Sequence, residues 1–271
     1  MFIQLVPNDA EMAEGSLFEP DEVQYNLLFR IREGSDALCL KTADGSMIFA
    51  HTPGHKGWLW ISQEMAADKR DDIFEKLAID LKNVPLPGIT GNPDTVERFA
   101  EIYSKRKDIR WEKEMTMESY YCPKVLKPNN VRGTFRKATK EEVETVALYL
   151  AGFLRDAFNS SVDPVTQLSK AETMIEAGGI YLWLVDGKPV SMANISHRTA
   201  KYGRINSVFT PIELRKKGYA SALTADLCAI LEKEKLIPML YADIINPASN
   251  KVYQNIGFLK SGKITEIKFQ E

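Results

Sequence analysis

Between Tyr202 and Lys235 the chain changes character twice, and few folds accommodate both changes. Tyr202 to Thr210 is apolar and β-branched enough to read as a strand. A turn holding Arg215, Lys216, Lys217 and Gly218 comes next. A helix then runs to Lys235 with Leu223, Leu227, Ile230 and Leu231 facing inward. Ile237 to Asp243 reads as a further strand. The first N–H groups of a helix lack partners and sit at the positive end of its dipole. Such a turn is a ready site for a pyrophosphate. Gly218 lets the backbone approach phosphate oxygens closely, Ala220 keeps that approach clear, and three consecutive cations supplement it. The blander reading is a solvated basic turn, since short glycine-containing matches are often accidental.

The rest of the composition sharpens this. The formal net charge is -2 and the pI about 6.1. No broad basic field exists to hold nucleic acid or an anionic membrane, so anion binding must be local. A length of 271 residues fits one large or two modest domains. The opening residues carry neither a basic n-region nor a long apolar stretch, which leads us to expect a cytoplasmic protein. Cys39, Cys122 and Cys228 lie far apart, as expected of reduced, buried thiols rather than a disulfide framework or a zinc site.

Along the chain, residues 17–29 read as a helix. Short strands follow over Ala37–Lys41, Ser46–His51 and Gly57–Ser62, then a helix over Asp68–Lys82. Pro85, Pro87, Gly88 and Gly91 mark a turn-rich segment. The next helix should open with Asp94 and Glu97 as a capping pair. Arg110–Tyr121 alternates as a strand, and Cys122–Asn130, with two prolines and paired asparagines, reads as a linker. Beyond it we expect a strand over Val131–Lys137 and helices over Lys140–Phe158 and Ser169–Ala177. Ile180–Val185 and Pro189–His197 should form a hairpin about Asp186-Gly187. A short helix over Ala248–Gln254 and a final strand pair over Phe258–Phe269 close the chain. Both halves run strands, helix, strand, helix, strand. This suggests two similar α/β folds in tandem, with domains at 1–122 and 131–271 and a linker at 123–130.

A second motif narrows the reading. After Met239–Asp243 comes Asn246-x-x-x-Asn250-x-x-Tyr253-x-x-x-Gly257-Phe258. Together with Arg215-x-x-Gly218-x-Ala220, it resembles the two signature motifs of the GNAT superfamily of N-acetyltransferases. The resemblance covers about residues 131–271. The opening half is similar, more loosely, to the N-terminal part of a two-domain bacterial group in that superfamily. It has no Arg-x-x-Gly-x-Gly/Ala turn after Gly57–Ser62, so a shared fold would there have lost its cofactor loop.

The resemblance implies a mixed, mostly antiparallel sheet flanked by helices, with acetyl-CoA between two splayed parallel strands, Arg204–Thr210 and Met239–Asp243. Val208, Phe209 and Thr210 would line the pantetheine. The pyrophosphate would sit on Arg215, Lys216, Lys217, Gly218, Tyr219, Ala220 and Ser221. Asn246 and Asn250 would hold pantetheine amides or a phosphate. A primary amine would attack the thioester directly, with a backbone N–H at the splay stabilising the oxyanion. Tyr253 occupies the family's position for the acid that protonates the departing thiolate; packing is its alternative role. Glu213, Asp243, His197 and a water chain are all open as the base.

Other signals are weaker. His51 and His55 have zinc-ligand spacing, but Pro53 and Gly54 break any helix between them, and we expect no metal. Gly257–Lys263 nearly spells a phosphate loop, yet Ile264 replaces the required Ser or Thr, so a strand–turn–strand is expected. Trp58 and Trp60 share one sheet face and would line either a substrate pocket or an interdomain seam. The leading expectation is an acetyl-CoA-dependent N-acetyltransferase whose N-terminal domain shapes the acceptor pocket. The alternatives are a non-catalytic acetyl-CoA-binding module and an acyltransferase with another acyl group or acceptor. Acceptor identity and oligomeric state stay open.

Overall fold

The structure, a computed structural model, describes residues 2–6 and 9–270. The chain forms two compact units. One comprises the residues up to Ser119 together with those from Ser261 on, and the other is Tyr120–Lys260.

In the first unit, β1 (Ile3–Gln4), β2 (Leu38–Lys41), β3 (Met47–His51) and β4 (Gly57–Ile61) pair antiparallel in chain order. The helix α1 (Leu27–Ile31) precedes β2, and α2 (Ala67–Asp80) follows β4. Next comes β5 (Gly88–Gly91), parallel to β4, then α3 (Pro93–Lys107) and β6 (Arg110–Tyr121), whose residues to Ser119 belong here. The amphipathic faces of α2 and α3 bury Phe74, Leu77, Val96 and Phe99 against Phe49, Leu59 and Ile89 of the sheet.

Residues 17–29 are mostly turns, with one 3-10 turn at Glu19–Asp21 and α1 beyond it. Pro20 disfavours a continuous helix, and Phe18 and Tyr25 instead cover Trp60 and Trp58, with ring centroids 5.3 and 6.3 Å apart. The two tryptophans therefore share a face as expected, but the unit's own opening segment buries them. Residues 88–91 form a strand, not a turn. A Cβ on Gly88 would lie 2.1 Å from the Ile267 carbonyl oxygen, and one on Gly91 2.4 Å from that of Leu59, so these glycines permit close strand approach. The α3 cap is Asn92, whose side chain accepts from the Asp94 N–H, with Pro93 opening the helix.

The second unit contains β7 (Thr134–Lys137), α4 (Val143–Phe158), α5 (Leu168–Glu176), β8 (Ile180–Val185), β9 (Lys188–Arg198), β10 (Tyr202–Phe209), α6 (Tyr219–Lys233), β11 (Ile237–Asp243) and α7 (Pro247–Asn255). Its strands order as β11-β10-β9-β8-β7. The hairpin turns at Asp186 and Gly187, with φ of 51° and 75°, as a two-residue loop requires. One sheet face packs on Leu223, Leu227 and Leu231 of α6, the other on Val146 and Leu150 of α4 and Ile175 of α5. The N-terminal unit's order β2-β3-β4-α2-β5-α3-β6 thus recurs as β8-β9-β10-α6-β11-α7 followed by β12 (Leu259–Gln270), and each contains a parallel step, β4/β5 and β10/β11.

Residues 122–130 are not a free tether. The Cys122 N–H donates to Pro238 O at 2.8 Å and the Leu126 N–H to Ile256 O at 2.9 Å, so the segment is docked within the second unit. β12 is one continuous strand, not a strand pair. From Ser261 it belongs to the first unit, where Thr265 to Lys268 pair antiparallel with Gly91 to Gly88. The sequence boundary at 131–271 differs on this point, because strand pairing at a distance leaves no local signature.

Candidate functional site

β10 and β11 run parallel through Tyr202↔Ile237, Gly203↔Pro238 and Arg204↔Met239. The ladder ends there, although β10 continues to Phe209 and β11 to Asp243. Against β9, β10 shifts register between Arg204 and Ile205 and again between Asn206 and Phe209, and Ser207 sits at φ 50°. Such an extra residue bends a strand and strengthens its twist. The two strands therefore part toward their C-terminal ends. Val208 packs on the α6 side, whereas the Phe209 ring lies 5.5 Å from Tyr149 of α4. The Phe209 carbonyl accepts from Ser191 Oγ at 3.0 Å, and Ser191 Oγ also lies 2.9 Å from Thr210 Oγ1.

After β10 comes Pro211 and a 3-10 turn, Ile212–Leu214. Lys216 and Gly218 then take positive φ, 63° and 83°. Gly218 is the N-cap of α6 and supplies no side-chain acceptor. The Ala222 N–H donates to Gly218 O at 2.9 Å, which leaves the N–H groups of Tyr219, Ala220 and Ser221 ahead of the intrahelical ladder. Lys216 and Lys217 are exposed, and among the described residues neither forms an ion pair. Tyr219 is buried in the core, while Ala220 and Ser221 are half-buried. A Cβ on Gly218 would lie 3.1 Å from Val131 Cγ2, in a backbone region that L side chains rarely adopt. The cradle therefore fits a pyrophosphate: open N–H groups, a helix dipole, two cations and no side chain at the turn's tightest point. Arg215 is occupied differently. Its Nε donates to Thr210 O at 2.9 Å and its Nη2 pairs with Asp156.

At the end of β11, Asp243 Oδ1 accepts from the Ile245 N–H at 3.0 Å. Asn246 caps α7, accepting from the Ser249 N–H at 3.1 Å. Asn250 Nδ2 donates to both Asp243 O and Asn246 O at 2.7 Å, and its Oδ1 accepts from the Tyr120 hydroxyl at 2.7 Å. Both asparagine side chains thus fasten α7 to β11. One turn on, Tyr253 is buried, its ring 6.3 Å from Tyr120 and 5.9 Å from Phe258. Burial, and secondarily Tyr120, pushes its phenol well above the ordinary tyrosine range. Tyr120 escaped the sequence reading, since only the docked 120–126 segment brings it beside α7.

The base candidates are scattered. His197 is half-buried on β9 opposite Arg204, at the paired rather than the splayed end. Glu213 is exposed in the turn. Its field adds to the burial that raises the Tyr149 phenol to about 12.

Residues 147–258 match the model of the Acetyltransferase (GNAT) family. The second unit carries a GNAT acetyltransferase domain. No curated protein sequence matches the chain. Solved structures similar to it span its whole length. A Drosophila malonogaster protein has TM-score 0.68 at 11% identity, covering 99% of this chain and 98% of that one. A GCN5-related N-acetyltransferase from Sphaerobacter thermophilus has TM-score 0.63 at 14% identity, covering 100% and 95%. A GNAT-family acetyltransferase from Colwellia psychrerythraea has TM-score 0.60 at 11% identity, covering both chains completely. At such identities the likeness speaks for the fold, and it extends beyond the GNAT domain to the N-terminal unit. There, however, β4 leads into α2 through Ala66 with no side-chain cap and no positive-φ glycine, so the cofactor turn has no counterpart. No helix among the described residues is long and apolar enough to cross a membrane.

Proposed function

We propose that the GNAT domain is an acetyl-CoA-dependent N-acetyltransferase acting on a primary amine. The observation that carries this is the parted β10/β11 pair beside the open N-terminus of α6. The co-substrate supplies the activated acyl group when bound. The backbone N–H groups at the start of α6 hold its pyrophosphate, and Lys216 and Lys217 add charge. The unpaired stretch of β10 at Ser207 and Val208 offers main-chain groups to the pantetheine. A backbone N–H there stabilises the oxyanion. Asn246 and Asn250 act indirectly by fixing α7.

Tyr253 is the proton donor to the departing thiolate. Its raised pKa keeps the phenol protonated throughout the neutral range but also weakens it as an acid toward a thiolate, so the transfer depends on direct contact between the hydroxyl and the departing sulfur. The amine's own proton leaves through Asp243, His197, Glu213 or water, and pH–rate profiles of the three single variants distinguish these.

The test is acetyl-CoA turnover against a panel of small amines, amino acids and peptides. Amine-dependent CoA release with an acetylated product supports the proposal. Saturable acetyl-CoA binding without turnover on any acceptor would leave a binding module instead.

A further inference from the structure

We propose that Arg215 is a positioning residue, locked to Asp156 of α4 so as to hold the anion-binding turn in shape, and is not itself a phosphate ligand. The guanidinium is a planar fork whose edges recognise anions two oxygens at a time. Here the Nε/Nη2 edge is filled, with Nε on Thr210 O at 2.9 Å and Nη2 on Asp156 Oδ2. The cation also lies over the Phe209 ring, 6.0 Å from its centroid. One side chain therefore joins the last residue of β10, the residue after it and the C-terminal turn of α4.

The partner has its own reason to stay. Asp156 lies two residues before the end of α4, at the negative end of the helix dipole, where a carboxylate is unfavourable unless a cation compensates it. Arg215 does so, with Arg155 Nε at 3.1 Å from Asp156 Oδ1. The Asp156 side chain is 26% exposed and that of Arg215 is 42% exposed, so the pair is only partly screened. The same strand end is gripped from α4 a second time, since a Cβ on Gly152 would lie 2.4 Å from Phe209 Cζ. Lys216 and Lys217, unpaired among the described residues, are left to meet the ligand. The helix that closes one face of the sheet and the turn that receives the anion then move as one piece.

The test uses Asp156→Asn, Arg215→Gln, the double variant and Asp156→Glu in the full chain. Hydrogen exchange of the Leu214 and Arg215 amides, which donate to Pro211 O and Ile212 O, is followed first without ligand. Both single variants should speed exchange there about equally, the double variant no further, and Asp156→Glu should restore protection. Affinity for acetyl-CoA, which rests on the functional reading above, should fall by about three- to ten-fold in either single variant. A phosphate-ligand role gives the opposite sign for Asp156→Asn: undisturbed exchange, and tighter binding because a competing carboxylate is gone. That result overturns the proposal. If the parent binds no acetyl-CoA, the functional reading fails, and the exchange measurement still decides the lock.

Discussion

Gly257 closes the segment that carries Tyr253, and replacing it by alanine should show how firmly that segment is seated. Its φ is 101°. A side chain held in so sparsely populated a region costs about 1–3 kcal/mol. A Cβ there would also lie 2.3 Å from the Lys124 carbonyl oxygen, so the docked 122–130 segment must shift. The hydrogen bond at risk is Leu126 N–H to Ile256 O, at 2.9 Å. Losing a bond of that kind adds about 1 kcal/mol. Gly257→Ala should therefore destabilise the protein by about 2–4 kcal/mol. Gly187→Ala is the control: φ is 75°, but the space around it is open, so only a backbone penalty of about 1 kcal/mol applies. Urea unfolding of parent and variants measures both. Equal losses in the two variants would refute the argument that the Lys124 carbonyl imposes the glycine.

Four further outcomes are expected. Tyr253→Phe should lower kcat by about a hundred-fold or more while acetyl-CoA binding holds, the usual scale for an acid–base residue; unchanged kcat would reduce Tyr253 to packing. Because its pKa is raised, the parent's rate should show no descending limb from this phenol below about pH 10. His51 is buried, its Nε2 has no hydrogen-bond partner, and burial lowers its pKa from 6.5. The unfolded chain then binds the extra proton first, so stability should hold above about pH 6.5 and fall below it; His51→Gln should flatten that fall in pH-dependent unfolding curves. Cys39, Cys122 and Cys228 are all buried and unpaired, so a thiol reagent should label them only as fast as the protein opens.

What the sequence discloses follows from how local each cause is. The turn at Asp186-Gly187, the faces of α2 and α6 and the basic turn before α6 are written in neighbouring residues, and they were legible. Gly88 and Gly91 misled because a glycine needed for close strand approach looks like one needed for a turn. The bulge at Ser207, which parts the strands, has no glycine to announce it. Asn246 and Asn250 matched a ligand motif, yet their side chains serve α7, a distinction that needs coordinates. The tie between Arg215 and Asp156 joins residues on different elements, and the destination of β12 depends on pairing with a strand far back in the chain.

The most direct test of the account is calorimetric titration of acetyl-CoA into the parent protein and into Gly218→Trp. The account expects saturable one-to-one binding by the parent and its loss in the variant, whose indole would fill the cradle at the start of α6. Absence of binding by the parent, or binding that Gly218→Trp leaves intact, would contradict it.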